Sequence, residues 1–466
     1  MSKARAVVVG LGRSGEAVAG FLLREGFEVL AVDDAPRALQ RAAAEALGID
    51  LVEAPSPQEL ERLTRRADEV VVSPGVPYRH PVFSLGLGDK LVGEIELAAR
   101  HARFPLVAVT GTNGKTTVVT LVRDMLEAAG KRVVLAGNVG TPLIEVVDEP
   151  ADAAVVEVSS FQLAITRKFE PRVATWLNFA PDHLDWHPDL CHYRRSKERI
   201  WANASADHVA VANLEDQAVA AAARRTGEKG ARLVWFSSAK EPLRVGEPLR
   251  VGEKVWTIRG GSGGEAIVDP GGEEVVSIDE LPRRLPHDLA NALAASATAM
   301  AAGGSLDGLR EALLGFKGLP HRVELVGEEG GVFFYDDSKA TTPASVMAAL
   351  EGFGSVVLLA GGRNKGLDLS VLRQAASSGP VHAVVVFGEA STELEEVFDG
   401  VCQVVEAGSM KEVVESSLAL AKPGDAVLLS PGCASFDWYR SYAKRGEDFV
   451  TCLRSCGVRE PEGRIR

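Results

Sequence analysis

The stretch FPLVAVTGTNGKTT, residues 104–117, decides the fold. Apolar residues 106–109 lead through Thr110 to Gly111, Thr112, Asn113 and Gly114, then to Lys115, Thr116, Thr117 and the amphipathic segment VVTLVRDMLEAAG. That order predicts a strand, a tight glycine-containing loop and a helix. Such a loop lets successive backbone N–H groups converge on a phosphate chain; the helix N-terminus adds partial positive charge, Lys115 a full charge, and Thr116 a hydroxyl suited to Mg²⁺. The strict form of this loop carries Gly five residues before Gly114, where Val109 stands, so this is a shortened variant. An ordinary strand-to-helix turn would not need glycines, lysine and hydroxyl in this order.

A chain of 466 residues is too long for one core and predicts two to four domains. With 46% hydrophobic and 25% charged residues it belongs with soluble globular proteins. The net charge of −13, from 51 basic and 64 acidic residues, argues against a nucleic-acid binder or an anionic-membrane binder, so phosphate ligands must be held by local cations. Cys191, Cys402, Cys433, Cys452 and Cys456 form no CxxC pair and are odd in number, which fits a reducing compartment. The N-terminal MSKARAVVVGLG has basic residues before an apolar run, as a signal peptide would, but Gly10 and Gly12 break the run and it reads as a buried strand. No stretch is long enough to span a membrane, and a cytoplasmic protein is expected.

Residues 4–9 form a strand entering Gly10, Gly12 and Gly15, with a helix from about residue 16 to 25, then a strand FEVLAVD ending at Asp33 and Asp34. This is the dinucleotide fingerprint, although the same turn serves any nucleotide diphosphate. The strand in DEVVVSPGVP ends at Ser73, Pro74, Gly75 and Pro77, a second turn at the same sheet edge, and the first domain closes near residues 91–93.

In the central region KRVVLAGN ends at Asn138 and Gly140, and ADAAVVEVSSFQL at Glu157, Ser159, Ser160 and Gln162. A carboxylate at the tip of an apolar strand is placed either to ligate Mg²⁺ or to cap the next helix. The strand in VATWLNFAPDHLDWHP adds Asn178, Asp182, His183, Asp185 and His187, and YRRSKERIWANA carries Lys197. A zinc site from His183, His187, Cys191 and His192 is disfavoured because Pro188 interrupts the helix that would align them; His183 is the candidate site residue, and His187 and His192 are expected at the surface or behind the site. Residues 231–280, with the near-repeat LRVGEPLRVGE and the stretch RGGSGGE, predict a small antiparallel β region. In the helix LPHDLANALAASATAMAAGG only the first turn, with His287 and Asn291, is a candidate for ligand contact.

A third α/β unit follows GFKGLPHRVELV. Its strand GVFFYDD enters Ser338, Lys339, Ala340 and Thr341; SVVLLAGG enters Arg363, Asn364, Lys365 and Gly366; DAVLLSPG enters Cys433, Ala434, Ser435 and Phe436. Three parallel strands ending in small, hydroxyl or cationic residues describe a binding crevice, and Lys339 and Lys365 suit a carboxylate-bearing substrate.

Taken together, TGTNGKTT, EVSSFQL, LNFAPDHLDWH, YRRSKERI, LPHDLANALAA, GLPHRVELV, DDSKATTP, LLAGGRNKG and LLSPGCASFDWYRSYAKRG run through essentially the whole chain in one order, and this pattern resembles the Mur ligases. The resemblance implies an α/β protein of three domains: a Rossmann-like UDP-sugar domain at 1–93, a central P-loop ATPase-type domain with the small antiparallel β region at 94–318, and a Rossmann-like amino-acid domain at 319–466. It turns the first glycine motif from an NAD site into a UDP site. DDSKAT at 336–341 points to the member that adds D-glutamate to UDP-N-acetylmuramoyl-L-alanine, using ATP, through an acyl phosphate and a tetrahedral intermediate, in the cytoplasmic synthesis of peptidoglycan for cell-wall growth, shape and division.

By motif position the resemblance implies that Lys115, Glu157, His183 and Lys197 are catalytic. Thr116 and Glu157 would hold one Mg²⁺, and His183 and a CO₂-derived carbamate on Lys197 a second. ATP contacts would come from Gly111, Thr112, Asn113, Gly114, Lys115, Thr116, Thr117, Asn291, Arg322 and Asp337. UDP-sugar contacts would come from Ser14, Asp34, Ser73 and Asn138, and D-glutamate contacts from Thr341, Lys365, Ser435 and Tyr442. A monomer is expected, with no nucleic-acid or membrane partner. Asp288 and Thr342 stand where Asn is common in the family, and Tyr442 where Phe is common. Alternatives open on the residues alone are a family member adding another amino acid, an NAD-dependent dehydrogenase with an ATP-binding appendage, and a noncatalytic ATP-dependent switch.

Overall fold

Valine- and alanine-rich runs buried on both faces build parallel strands that must be covered by helices, and in the computed structural model, which describes residues 3–239, 253–261 and 264–461, they do so in three sheets. The first sheet comprises β1 (Arg5–Val9), β2 (Glu28–Asp33), β3 (Asp50–Glu53), β4 (Glu69–Val72) and β5 (Leu91–Gly93), all parallel, in the order β3-β2-β1-β4-β5. The strand order reverses between β1 and β4, where loops leave the sheet in opposite directions and open a crevice.

The second sheet comprises β6 (Leu106–Thr110), β7 (Val133–Gly137), β8 (Ala153–Glu157), β9 (Val173–Trp176), β10 (Val209–Asn213), β11 (Arg232–Phe236), β12 (Lys254–Gly261), β13 (Gly264–Val268) and β14 (Glu274–Ser277), in the order β14-β13-β12-β11-β10-β9-β6-β8-β7. Its reversal lies between β6 and β9. β11 pairs parallel to β10 and β12 parallel to β11, so the antiparallel part begins only at the β12–β13 pair, later than residue 231. The near-repeat LRVGEPLRVGE, apart from Glu253, and residues 262–263 of RGGSGGE lie outside the described residues.

The third sheet comprises β15 (Glu324–Glu329), β16 (Val332–Asp336), β17 (Val356–Gly361), β18 (Val381–Phe387), β19 (Gln403–Ala407) and β20 (Ala426–Gly432), in the order β15-β16-β20-β17-β18-β19, with β15 alone antiparallel. By contacts the chain divides into two compact units. One comprises Met1–Phe179, Trp186–Asp279 and Ala290–Leu314, with the first two sheets; the other comprises Ala180–Asp185, Glu280–Leu289 and Gly315–Arg466, with the third.

Two local expectations shift. The first helix spans Arg13–Arg24, starting earlier than residue 16, because Gly12 is extended at its cap and Gly15 sits inside the first turn. A Cβ on Gly15 would collide with the Gly10 carbonyl, so only glycine lets this helix begin so close to the strand. The strand in residues 173–188 is only Val173–Trp176; Pro188 is followed by a helix at Leu190–Glu198, capped by Asp189, whose side chain accepts from His192 N. Among the described residues no helix is long and apolar enough to cross a membrane.

In the first unit one apolar cluster, including Phe21, Ile95, Leu97, Leu106, Ile144 and Trp176, joins the helices over the first sheet to those over the second. Helix Glu94–His101 runs between β5 and β6, and its first residue is buried in this seam. Glu94 Oε1 accepts from Ile144 N at 2.8 Å, while Oε2 has no hydrogen-bond partner. Burial pushes the Glu94 carboxyl up to about 7, with the amides of Ile144 and Leu143 opposing the rise. A carboxyl raised on folding contributes stability that is full below its unfolded value near 4.5 and is lost as pH climbs through about 7. Glu94→Gln, which keeps an acceptor for Ile144 and cannot ionise, is expected to match the parent near pH 5 and to exceed it by about 1–3 kcal/mol at pH 8. Urea unfolding at the two pH values checks this; a difference that does not grow with pH counts against it.

Candidate active site

The loop after β6 and the segment after β9 leave the sheet at its point of reversal and are stitched together by one side chain. Asn178 Oδ1 accepts from Thr112 N at 3.0 Å and Asn113 N at 2.9 Å, while its Nδ2 donates to Asn113 O at 3.2 Å. Gly111 is packed against Leu177, where a Cβ would lie 2.9 Å from that residue's own Cβ. Gly114 has φ of 83°, and a Cβ there would strike Asn291 Oδ1, so glycine is required for both backbone and space. The helix Lys115–Ala128 starts directly after it. Lys115 Nζ donates to Gly111 O at 2.8 Å and Thr112 O at 2.9 Å, folding the cation over the loop it serves.

Beside this loop, Thr116 Oγ1 donates to Glu157 Oε2 at 2.8 Å and Asn138 Nδ2 donates to Glu157 Oε1 at 2.9 Å. Asn138 N also donates to Glu157 O at 2.8 Å, so the tips of β7 and β8 are bound to one carboxylate from both sides. Hydroxyl and carboxylate oxygens are the donors that Mg²⁺ takes, and they fit it. Lys197, only 1% exposed, donates from Nζ to Gly111 O at 2.6 Å and lies over the Tyr193 ring at 4.8 Å. Tyr193 OH in turn meets Thr112 Oγ1 at 3.1 Å. Thus the phosphate loop, Asn138, Glu157, Lys197 and Asn291 are brought together in the first unit.

Of the two places expected for His187, the structure shows the inner one. His187 is 1% exposed, not at the surface, with Nε2 at 2.9 Å from Ser160 Oγ and Nδ1 at 2.8 Å from His192 Nδ1. Desolvation lowers the His192 pKa. His187 is held in an aromatic group in which Trp186 stacks on Phe161 at 4.6 Å, Tyr78 meets His192 at 4.3 Å, and Trp186 Nε1 donates to Val76 O at 3.0 Å. Cys191 is exposed.

At the first sheet's reversal point, Ser73 Oγ donates to Gly10 O at 2.6 Å and Leu11 N to Asp33 Oδ2 at 2.9 Å. Asp33 therefore closes the glycine turn, whereas Asp34 is largely exposed and meets His80 Nε2 at 3.1 Å. Ser14 is half-buried on the first helix.

Residues 180–185 belong to the second unit, so His183 does too. It takes a left-handed φ of 56°, its N donates to Asp182 Oδ1 at 2.7 Å, and its Nε2 lies 3.3 Å from Asp182 Oδ2. The second unit also holds Arg322, Asp337, Thr341, Lys365, Ser435 and Tyr442. Asp337 accepts from Ser430 Oγ at 2.7 Å, and burial pushes it up to about 7. Lys339 Nζ lies 3.9 Å from the Tyr442 ring centroid, so this lysine is packed on the aromatic face. Asp288 is half of a buried pair with Arg283 at 3.0 Å, and Arg283 continues to Arg322 O and Val323 O at 3.1 Å each. Thr342 caps the helix Pro343–Leu350. The structure thus gives two of the departures, Asp288 and Thr342, a local partner.

Sequence reading passed over two side chains. Asn178 was visible as a strand-end amide but not as the clamp, because the clamp depends on β9 lying beside β6, a pairing of distant segments. Arg445, wholly buried, was hidden in a helix whose evident core face is Phe449 and Leu453. Among the described residues one group of His, Asp and Glu is close enough to share an ion: His321, Glu324 and Asp336. There His321 Nδ1 bonds Asp336 Oδ2 at 2.7 Å, which raises the His321 pKa.

Three family models match: Mur ligase MurD-like, N-terminal domain, at residues 4–87; Mur ligase middle domain at 109–299; and Mur ligase, glutamate ligase domain, at 321–433. The chain is 43% identical over 458 residues to the UDP-N-acetylmuramoylalanine--D-glutamate ligase of Desulfosudis oleivorans, covering 97% of this chain and 96% of that one. It is 37% identical over 460 residues to the enzyme of the same name in Acidobacterium capsulatum, covering 96% and 95%. In fold it resembles a pseudomurein peptide ligase type C from Methanothermus fervidus, with a TM-score of 0.58 at 18% identity over 97% and 100% of the two chains.

The clamp offers a test that needs no ligand. Asn178→Ala removes the acceptor shared by two loop amides and is expected to lower stability by about 1–3 kcal/mol in chemical denaturation. A loss below about 0.5 kcal/mol would mean the loop holds its shape without the carboxamide.

Proposed function

Because the chain belongs to the Mur ligase family, we propose that it is the ATP-dependent ligase that joins D-glutamate to UDP-N-acetylmuramoyl-L-alanine in cytoplasmic peptidoglycan precursor synthesis. The observation that carries this reading is the arrangement of Lys115, Thr116 and Glu157: a phosphate-loop cation beside two oxygen ligands, at the C-terminal edge of a parallel sheet.

The reaction brings anions together. The alanyl carboxylate attacks the γ-phosphorus of ATP, forming an acyl phosphate and ADP; the D-glutamate amine then adds to the acyl carbon, and the tetrahedral intermediate expels phosphate. Lys115 and the N-terminal turn of the helix Lys115–Ala128 offset the charge of the β- and γ-phosphates. Mg²⁺ held by Thr116 and Glu157 would supply further charge neutralisation. His183, and Lys197 as a carbamate formed by CO₂ adding to Nζ with loss of a proton, would hold a second Mg²⁺, which would offset the charge of the acceptor carboxylate. Asn291, Arg322 and Asp337 contact the rest of ATP. Ser14, Asp34, Ser73 and Asn138 bind the UDP-sugar, and Thr341, Lys365, Ser435 and Tyr442 hold the D-glutamate. The corresponding domains are 1–93, 94–318 and 319–466, in a monomer.

Coupled ADP release is expected only with ATP, UDP-N-acetylmuramoyl-L-alanine and D-glutamate all present; release indifferent to D-glutamate, or supported better by L-alanine or a diamino acid, rejects the assignment. Lys115→Ala is expected to reduce turnover by about 10³-fold or more. Lys197→Ala should lose activity that formate or acetate partly restores by supplying carboxylate oxygens, read in the same assay across a titration of each anion. Full activity without added carboxylate would remove Lys197 from the mechanism.

A further inference from the structure

In the second unit the helix Tyr442–Ser455 carries a charge into the core. Arg445 is 0% exposed, and its bonds go to the ends of three strands: Nε to Ser338 Oγ and Nη2 to Ser338 O, both at 2.9 Å, Nη1 to Cys433 O at 3.1 Å and to Gly361 O at 3.3 Å. Ser338 follows β16, Gly361 ends β17 and Cys433 follows β20. Ser338 Oγ donates onward to Tyr442 O at 2.8 Å, closing the circuit on the helix that supplies the arginine. Burial lowers Arg445 to about 10, with Asp437 among the groups opposing the fall, so it stays charged at neutral pH.

The three strand ends are those that continue into Thr341, Lys365 and Ser435. They come from separate segments of the chain, and adjacent strands fix the spacing of their backbones but not the aim of the turns beyond them. A planar guanidinium with five donors in a fixed fork can bond several carbonyls at once, which the point-like ammonium of lysine does not reproduce. Room for it is made by Gly362, where a Cβ would lie 3.0 Å from Nη1 and collide with Ala434 O.

We propose that Arg445 is the positioning residue of the amino-acid pocket: its fork sets the separation of the turns bearing Thr341, Lys365 and Ser435, and places one fixed positive charge behind them for a dicarboxylate amino acid. This rests on the ligase reading above. Arg445 touches no reacting atom, and its effect is confined to the amino-acid substrate.

The test is steady-state kinetics of Arg445→Lys and Ser338→Ala, varying each of the three substrates in turn. In Arg445→Lys the KM for D-glutamate should rise about tenfold or more while the KM values for ATP and the UDP-sugar stay within about twofold. Ser338→Ala, which removes the Nε contact but leaves the charge, should shift the same parameter in the same direction by about threefold to tenfold and serves if the lysine variant fails to fold. The deciding number is the fold-change in KM for D-glutamate divided by that for ATP: above about three supports the proposal, and below it, with all constants moving together or none moving, overturns it. Should the parent enzyme turn over a different amino acid, the substrate assignment is corrected and the same ratio is read with that amino acid.

Discussion

A phosphate-binding loop at the end of a parallel strand must keep one shape, and the Asn178 carboxamide fixes that shape here. Amides at such a strand end have no partner in the sheet, and a loop of glycines would readily fold in on them. Asn178 takes two of these amides, at Thr112 and Asn113, onto a single oxygen and returns a donor to the Asn113 carbonyl. Lys115 satisfies the loop carbonyls at the other side. The neighbouring carboxylate of Glu157 is held from both flanks, by Thr116 and Asn138, so its oxygens are aimed before any ion arrives. Preorganisation of this kind is what makes fixed charge effective against developing charge.

The same logic recurs at the third sheet with different chemistry. There the turns are tied by Arg445 reaching in from a later helix, and the Asp336–His321 pair and Asp337–Ser430 bond fix the two residues just before Ser338. Charged groups are thus packed densely behind the surface that would meet substrate, each with a geometric partner, in keeping with the rule that buried charge persists only when bonded.

What the sequence revealed follows physical range. The strand–loop–helix at 104–117 was legible because strand, glycines, Lys115 and Thr116 are contiguous, and a local motif carries its own geometry. Three α/β units were legible from apolar runs separated by helical periodicity. In residues 231–280 only the start of the antiparallel region shifts: β11 pairs parallel with β10 and β12, because strand neighbours are chosen by the sheet and not by the strand. Whether His187 lies at the surface or behind the site was open in the sequence, because what draws it inside is aromatic packing with Trp186 and with Phe161 of a separate segment. Arg445 could not have been found by periodicity, since a long cation on a helix is normally solvated.

The thiol at the end of β20 has a practical bearing. Cys433, whose own carbonyl accepts from Arg445, stands two residues before Ser435, buried, with its ionisation pushed up to about 12 by desolvation. Nucleophilic sulfur requires the thiolate, so at neutral pH this one is chemically silent. Electrophiles and peroxides would mark the exposed Cys191 first and leave the crevice untouched. A covalent inhibitor aimed at this crevice would therefore gain nothing from a sulfur-seeking warhead and would have to capture a lysine instead.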